Sequence, residues 1–140
     1  MPPTFELQVA TQERTVCTMP VLALVAPGAE GSFGILAHHA PMVAELGVGE
    51  LKVTYPNEQT DFYACAGGIL EVRDNRVLIL ADVAEAADEI DVDRARAAKE
   101  RAEQRLRGEI HDPGEMDIER ARLALSKALN RLRLAERYPP

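Results

Sequence analysis

Few side chains in this 140-residue sequence have the type and setting for chemistry. Two adjacent histidines, His38-His39, stand in a nearly uncharged stretch from Gly28 to Leu46, where Glu30 and Glu45 are the only ionised groups. Paired imidazoles invite a metal ion. However, neighbours on an extended chain point to opposite faces, His111 lies in another segment, and no HxH or HExxH spacing is present. The expected role is local, with one imidazole bonded to its own turn and the other facing solvent or a partner. Cys17 and Cys65 are far apart and form no CxxC, which reads as two reduced, partly buried thiols of a cytosolic compartment. Ser32 and Ser126 sit in no nucleophile elbow, and there is no P-loop or GxGxxG. Catalysis by this chain is not expected.

The most specific local pattern is Ile90-Asp91-Val92-Asp93-Arg94-Ala95. Asp91 suits a helix N-cap and Arg94 the solvated first turn that follows. Arg101, Lys127 and Arg131 would converge with Arg94 only if two helices fold together, making a cationic cleft able to take phosphates. Ion pairs within each helix account for most of the same charges.

These side chains must be positioned by two regions of different character. Residues 1–86 carry four basic against eleven acidic side chains, a net of −7, whereas residues 87–140 carry twelve of each. The charge therefore divides the chain into a domain at 1–86 and a second at 87–140. In the first, Phe5–Val9 and Glu50–Tyr55 alternate apolar with polar, and Val21–Ala26 is continuously apolar. Thr60–Ala66 stops at Gly67-Gly68, and Ile69–Arg73 and Arg76–Leu80 flank the two-residue connection Asp74-Asn75, suited to a tight hairpin. Glycines 28, 31 and 34 mark turns or places that a side chain would block. Short strands with this punctuation indicate an antiparallel sandwich or barrel.

In the second region Asp91 opens a helix that runs to about Arg107, where Gly108 supplies a stop. Pro113-Gly114 break the connection, and Asp117 caps a second helix to about Arg137. Ala95, Ala98, Ala102 and Leu106 form a small-residue stripe. Ile118, Ala121, Leu125, Ala128, Leu132 and Ala135 repeat at heptad spacing. The reading is an antiparallel αα-hairpin standing in solvent on a thin alanine seam, able to dock, undock or extend. Overall the fold class is α+β, a sandwich followed by a hairpin.

The net charge of −7 argues against nucleic acid, which needs a basic face. The N-terminus has no basic and apolar leader, so no signal peptide is expected. The longest uncharged run, Thr15–Ala29, is broken by prolines and too short to span a bilayer.

Gly34-Ile35-Leu36-Ala37-His38-His39-Ala40-Pro41 resembles the GILPGHAP-type signature of the epsilon subunit of F-type ATP synthase. Ala64-Cys65-Ala66-Gly67-Gly68-Ile69-Leu70-Glu71-Val72 and Val77-Leu78-Ile79-Leu80-Ala81-Asp82 are also similar to that family, and the resemblance extends through the helices. It implies a sandwich of about ten strands and a hairpin, forming a non-catalytic rotor subunit of the central stalk in proton-driven ATP synthesis. Its partners would be the gamma subunit, the c-ring loops and, through the extended hairpin, the catalytic alpha and beta subunits. It would lie on the cytoplasmic side of the inner cell membrane without inserting. No cofactor is required, and ATP is implied as a regulatory ligand through Glu85, Ile90, Asp91, Arg94, Ala95, Arg101, Lys127 and Arg131. Lys127 stands where the family has arginine and lacks its planar fork. Contact with the c-ring and gamma would use Gly31, Ser32 and His39. Restraint of ATP hydrolysis would use Lys127, Arg131, Arg133 and Arg137. Ala37-His38 replace the usual Pro-Gly, which changes the turn before the signature His39. Ser32 stands where some members have a carboxylate. The alternative is a free-standing sandwich module with a helical oligomerisation arm.

Overall fold

The computed structural model describes residues 2–109 and 118–140. Seven strands are followed by two helices: β1 (Phe5–Ala10), β2 (Thr15–Val21), β3 (Ala23–Gly28), β4 (Gly31–Leu36), β5 (Met42–Thr54), β6 (Thr60–Arg73), β7 (Arg76–Ala86), α1 (Val92–Leu106) and α2 (Ile118–Arg137). The strands form one sheet in the order β2-β1-β7-β6-β5-β3-β4, antiparallel except for the β1–β7 pair.

Seven strands, not about ten, build the sandwich because Gly67-Gly68 does not end a strand. β6 runs straight through it, and the pairing is interrupted at this level in three adjacent strands without a change of register. Leu46 pairs Gly68 and Val48 pairs Ala66, while Gly68 pairs Ala81 and Ala66 pairs Val83, so Gly47, Gly67 and Asp82 are skipped together. Gly67 and Gly68 have φ of 70° and 123°, values that L side chains rarely adopt. A Cβ on Gly68 would collide with the Leu80 carbonyl oxygen and lie 2.7 Å from the Ala81 Cα. At this corner β5, β6 and β7 bend, and the sheet folds back on itself.

One layer then holds β2, β1, the start of β7, the end of β6 and the start of β5. The other holds the remaining halves with β3 and β4. Alternate residues meet between them, including Leu7, Val9, Val21, Leu24, Ile35, Leu51, Val53, Cys65, Leu70 and Ile79, all essentially inaccessible. With no Trp, this core is filled mainly by aliphatic side chains, with Phe5 and Tyr63 among them.

Of the three early glycines, Gly28 is the one a side chain would block, since a Cβ would lie 2.6 Å from the Gly31 carbonyl oxygen. Gly31 takes a positive φ of 137°, and Gly34 has ordinary room. Asp74 and Asn75 both take left-handed φ values, 53° and 60°, the geometry of a tight type I′ hairpin.

A single 3-10 turn, Ala87–Glu89, leads into α1, whose first turn is capped by Asp91 Oδ1 accepting from the Arg94 amide at 3.0 Å. At its end Gly108 is left-handed, φ 77°, while the Gly108 and Glu109 amides donate to Arg105 and Gln104. That pair of bonds is a Schellman stop. The expected break at Pro113-Gly114 and cap at Asp117, and His111 with them, lie outside the described residues.

The alanine seam forms as its spacing requires. Ala95, Ala102, Ala121 and Ala128 are buried; Ala98, Leu106, Leu125, Leu132 and Ala135 are half-buried, and Ile118 is exposed. The hairpin does not stand free in solvent, however. α2 also lies against β5 and β6, where Leu134 packs with Ala64, Ala87 and Ile90 in a small cluster separate from the sandwich core.

Candidate functional site

α2 presents two faces. One is the alanine seam; the other is the row Asn130, Leu134 and Tyr138, spaced by four residues and turned to the sandwich. Asn130, 2% exposed, donates from Nδ2 to the Gly49 carbonyl at 2.9 Å and accepts on Oδ1 from Arg133 at 2.8 Å. Gly49 itself tolerates no side chain, because a Cβ would lie 2.6 Å from the Pro27 Cβ on the neighbouring strand β3. Tyr138 stacks on Phe62, with ring centroids 3.6 Å apart and planes within 6°. Its hydroxyl donates to Glu50 Oε1 at 2.6 Å, and Arg137 stands 3.6 Å from the other carboxylate oxygen. The hairpin is thus seated by a few polar and aromatic contacts around one buried leucine.

Beneath α2 lies an open cleft of about 290 Å³ lined by Ala64, Cys65, Ala66, Val83, Glu85, Arg94, Lys127, Asn130 and Arg131. Strands β6 and β7 give its floor, the first turn of α1 gives Arg94, and α2 gives the cationic wall. Arg131 forks onto Glu85 at 2.9 and 3.2 Å, both side chains being about a quarter exposed. Neither the Arg94 guanidinium nor the Lys127 ammonium makes a hydrogen bond or ion pair among the described residues.

Four of the eight candidate nucleotide residues, Glu85, Arg94, Lys127 and Arg131, therefore gather on one cleft. Asp91 is occupied as the α1 cap, and Ile90 and Ala95 are buried in packing. Arg101 is exposed and does not line the cleft. Asn130 lines it, yet its polar side chain breaks the apolar period by which α2 was read.

Gly31 and Ser32 are exposed on the edge strand β4, where Gly31 pairs with Gly28. His39 Nδ1 lies 2.8 Å from the Ala40 carbonyl, so this imidazole does bond to its own turn. His38 is not extended but left-handed, φ 63°, so the expectation of two histidines on opposite faces of a strand fails there. It occupies the position of the signature glycine in the conformation that glycine adopts most readily. The His38 amide donates to Asn75 Oδ1 at 2.7 Å, while Asn75 Nδ2 donates to the Thr4 carbonyl at 3.0 Å. Asn75 thus ties the histidine loop to the β6–β7 turn and to the start of β1. The outer face of the first layer, opposite the core, leaves Val43, Ile69 and Leu80 exposed by 72%, 53% and 53%. Strand alternation gave no warning of this apolar face, because Glu45 and Glu71 interleave with it.

Cys17 and Cys65 are both free and buried. Burial pushes the Cys65 thiol up to about 12, with nearby Asp82 adding to the effect. The Cys17 thiol is also raised by burial, against the lowering effect of its hydrogen bond with Tyr63. Such thiols are inert packing groups. No cluster of three His, Cys, Asp or Glu side chains suited to a metal occurs among the described residues. No helix among them is long and apolar enough to cross a membrane.

A sandwich with a hairpin seated on one face and an uncovered apolar patch on another defines an assembly protein that works through its surfaces. The family model for the ATP synthase delta/epsilon chain β-sandwich domain matches residues 4–87, and that for the long α-helix domain matches residues 88–136. The chain belongs to this family, as an epsilon subunit of F-type ATP synthase and a non-catalytic member of that complex. It is 48% identical over 108 residues to the ATP synthase epsilon chain of Desulforamulus reducens, covering 76% of this chain and 80% of that one. It is 48% identical over 101 residues to that of Carboxydothermus hydrogenoformans, covering 72% and 75%. A chain of the Euglena gracilis mitochondrial ATP synthase, solved as an OSCP/F1/c-ring assembly, superposes with a TM-score of 0.76 at 28% identity over 93% of this chain and 80% of that one. A chain of the Tetrahymena thermophila central stalk and c-ring, 20% identical, shares the fold with a TM-score of 0.57 and 96% coverage of both.

Proposed function

We propose that this chain is a rotor subunit of the central stalk that links gamma to the c-ring and carries in its hairpin a brake on ATP hydrolysis. The sandwich, residues 1–86, is the fixed part; the hairpin, residues 87–140, is the part that changes posture. The uncovered apolar face at Val43, Ile69 and Leu80 suits gamma, and Gly31, Ser32 and His39 would meet the polar loops of the c-ring. The complex would hold the chain at the cytoplasmic side of the cell membrane, peripherally. Lys127, Arg131, Arg133 and Arg137 would meet an acidic surface of the catalytic head once α2 is released.

The observation that carries the reading is the narrow, largely polar seat of the hairpin. Burial contributes about 25 cal/mol per Å² of apolar area, and one leucine with one stacked tyrosine gives a docking energy small enough for a ligand to bias. ATP is the proposed ligand. Arg94 and Lys127 offer unpaired charge to phosphates, and the Ala64, Ala66 and Val83 floor offers an apolar surface to a base. Lys127 contributes as a point charge without the fork of an arginine.

The test is hydrolysis by the assembled complex carrying chain 1–87 in place of the full chain. Relief of inhibition is expected, and unchanged hydrolysis would remove the brake. Titrating the isolated full chain with ATP tests the ligand separately; no binding at millimolar concentration would remove it. A chain that self-associates and fails to copurify with gamma would return the reading to a free-standing module.

A further inference from the structure

The outer face of the first layer carries a regular pattern. Val43 pairs with Glu71 and Glu45 with Ile69 across β5–β6, and these side chains alternate with the buried Leu46, Leu70 and Val72. They form a checkerboard in which two carboxylates hold one diagonal and two apolar side chains the other, each diagonal spanning about 7–8 Å. Across β6–β7, Ile69 pairs with Leu80 and Glu71 with Leu78, which extends the apolar floor beside the acids. The hairpin does not cover this face, because α2 meets Gly49, Glu50, Ala64 and Glu85 in the other layer.

Charge on the face is unequally matched. Arg76 lies 3.5 Å from Glu6, and Arg73 lies 3.9 Å from both Glu71 and Asp74. Glu71 is therefore only loosely held, at a distance too long for a hydrogen bond. The Glu45 carboxylate makes no ion pair or hydrogen bond among the described residues. Acids scattered among exposed apolar side chains also guard a bare sheet against self-association, a role that needs charge but no particular geometry. Here two acids stand within reach of a single guanidinium, with Ile69 beside both.

We propose that Val43, Glu45, Ile69 and Glu71 form a receptor for one arginine of a partner protein, presented by an otherwise apolar segment. The aliphatic stem of that arginine lies over Ile69 and Val43, and its guanidinium donates to Glu45 and Glu71 together. A lysine, a compact and strongly hydrated point charge, does not bridge two carboxylates so placed. Apolar neighbours of the arginine cover Leu78 and Leu80 and exclude water from the pair. An arginine at the centre of a desolvated apolar patch is a common anchor of protein interfaces. The sandwich, with its net charge of −7, makes a cationic anchor the complementary choice. That the segment belongs to gamma rests on the rotor reading; that its anchor is an arginine comes from the checkerboard.

The test measures the affinity of the labelled full chain for the assembled complex stripped of this chain, at low and at high salt. E45Q and E71Q keep shape and remove charge; each is expected to weaken binding about tenfold at low salt and to flatten its salt dependence. I69S removes the apolar floor and should weaken binding while the salt dependence is kept. R73Q frees Glu71 from its neighbour at 3.9 Å and should tighten binding. If E45Q and E71Q bind as tightly as the parent, the proposal is overturned, the acids are guards against self-association, and the rotor reading stands. An I69S chain that binds like the parent also overturns it, because the cation would then be met away from the apolar floor. So does an R73Q chain that binds more weakly than the parent. A parent chain that does not bind the stripped complex removes the rotor reading and this proposal together.

Discussion

His38 is the position where this chain departs from its family signature in a way the backbone registers. Its φ of 63° places a side chain where an L-residue crowds the following carbonyl, at a cost of about 1–2 kcal/mol. Replacing it with glycine removes that cost and adds about 0.5–1 kcal/mol of unfolded-state entropy. The hydrogen bond that fixes the loop is untouched, because its donor is the His38 backbone amide, 2.7 Å from Asn75 Oδ1. The exposed imidazole makes no hydrogen bond or ion pair that the substitution would forfeit among the described residues. His38→Gly should therefore stabilise the sandwich by about 0.5–1 kcal/mol, a shift of about 0.3–0.5 M in the urea midpoint for a protein with a slope near 2 kcal/mol per M. His38→Val, β-branched in the same conformation, should shift the midpoint the other way by at least as much. Urea unfolding of both variants beside the parent, at constant slope, measures the two shifts. A neutral or destabilising glycine, or a valine equal to the parent, would refute the claim that backbone strain at this position dominates.

Two further outcomes follow from the corner and the core. Gly68→Ala forces a Cβ towards the Leu80 carbonyl at φ 123°, with backbone on both sides, and should cost more than about 3 kcal/mol or prevent folding; a thermal midpoint within a few degrees of the parent would contradict the corner geometry. Burial raises the Cys65 thiol from its usual 9.0 to about 12, so the folded state holds the proton more tightly than the unfolded one. Its contribution is complete below about pH 9 and is lost as pH rises towards 12. Urea midpoints taken from pH 7 to 11 should fall above pH 9, and Cys65→Ala, although less stable at neutral pH, should fall less steeply.

Much of this architecture could be read from residue pattern because each rule acts locally. Asp91 and Gly108 punctuate α1 where capping chemistry requires, and the alternation at Phe5–Val9 sets the inward face of β1. Gly67-Gly68 misled because glycine pairs end strands and also bend them; the choice depends on Gly47 and Asp82 in the neighbouring strands, which pairing alone reveals. The seat of the hairpin was hidden for another reason. A period search weighs apolar residues, and the row facing the sandwich carries Asn130 and Tyr138 around a single Leu134, with Arg131 beside it. The acidic half of that contact, Glu50 and Glu85, lies 46 or more positions away in sequence. Of the candidate nucleotide residues, Glu85, Arg94, Lys127 and Arg131 meet because two helices and two strands pack, whereas Arg101, a further arginine on α1, does not line the cleft.

Because β5, β6 and β7 pass unbroken through the corner at Gly47, Gly67 and Asp82, the two layers are joined by covalent backbone as well as by packing. A shear stress applied to one layer reaches the other along three peptide chains under tension or compression. Two sheets in mere contact would slide. The head is mechanically a single creased plate, its two layers held together by the three peptide chains that cross the crease.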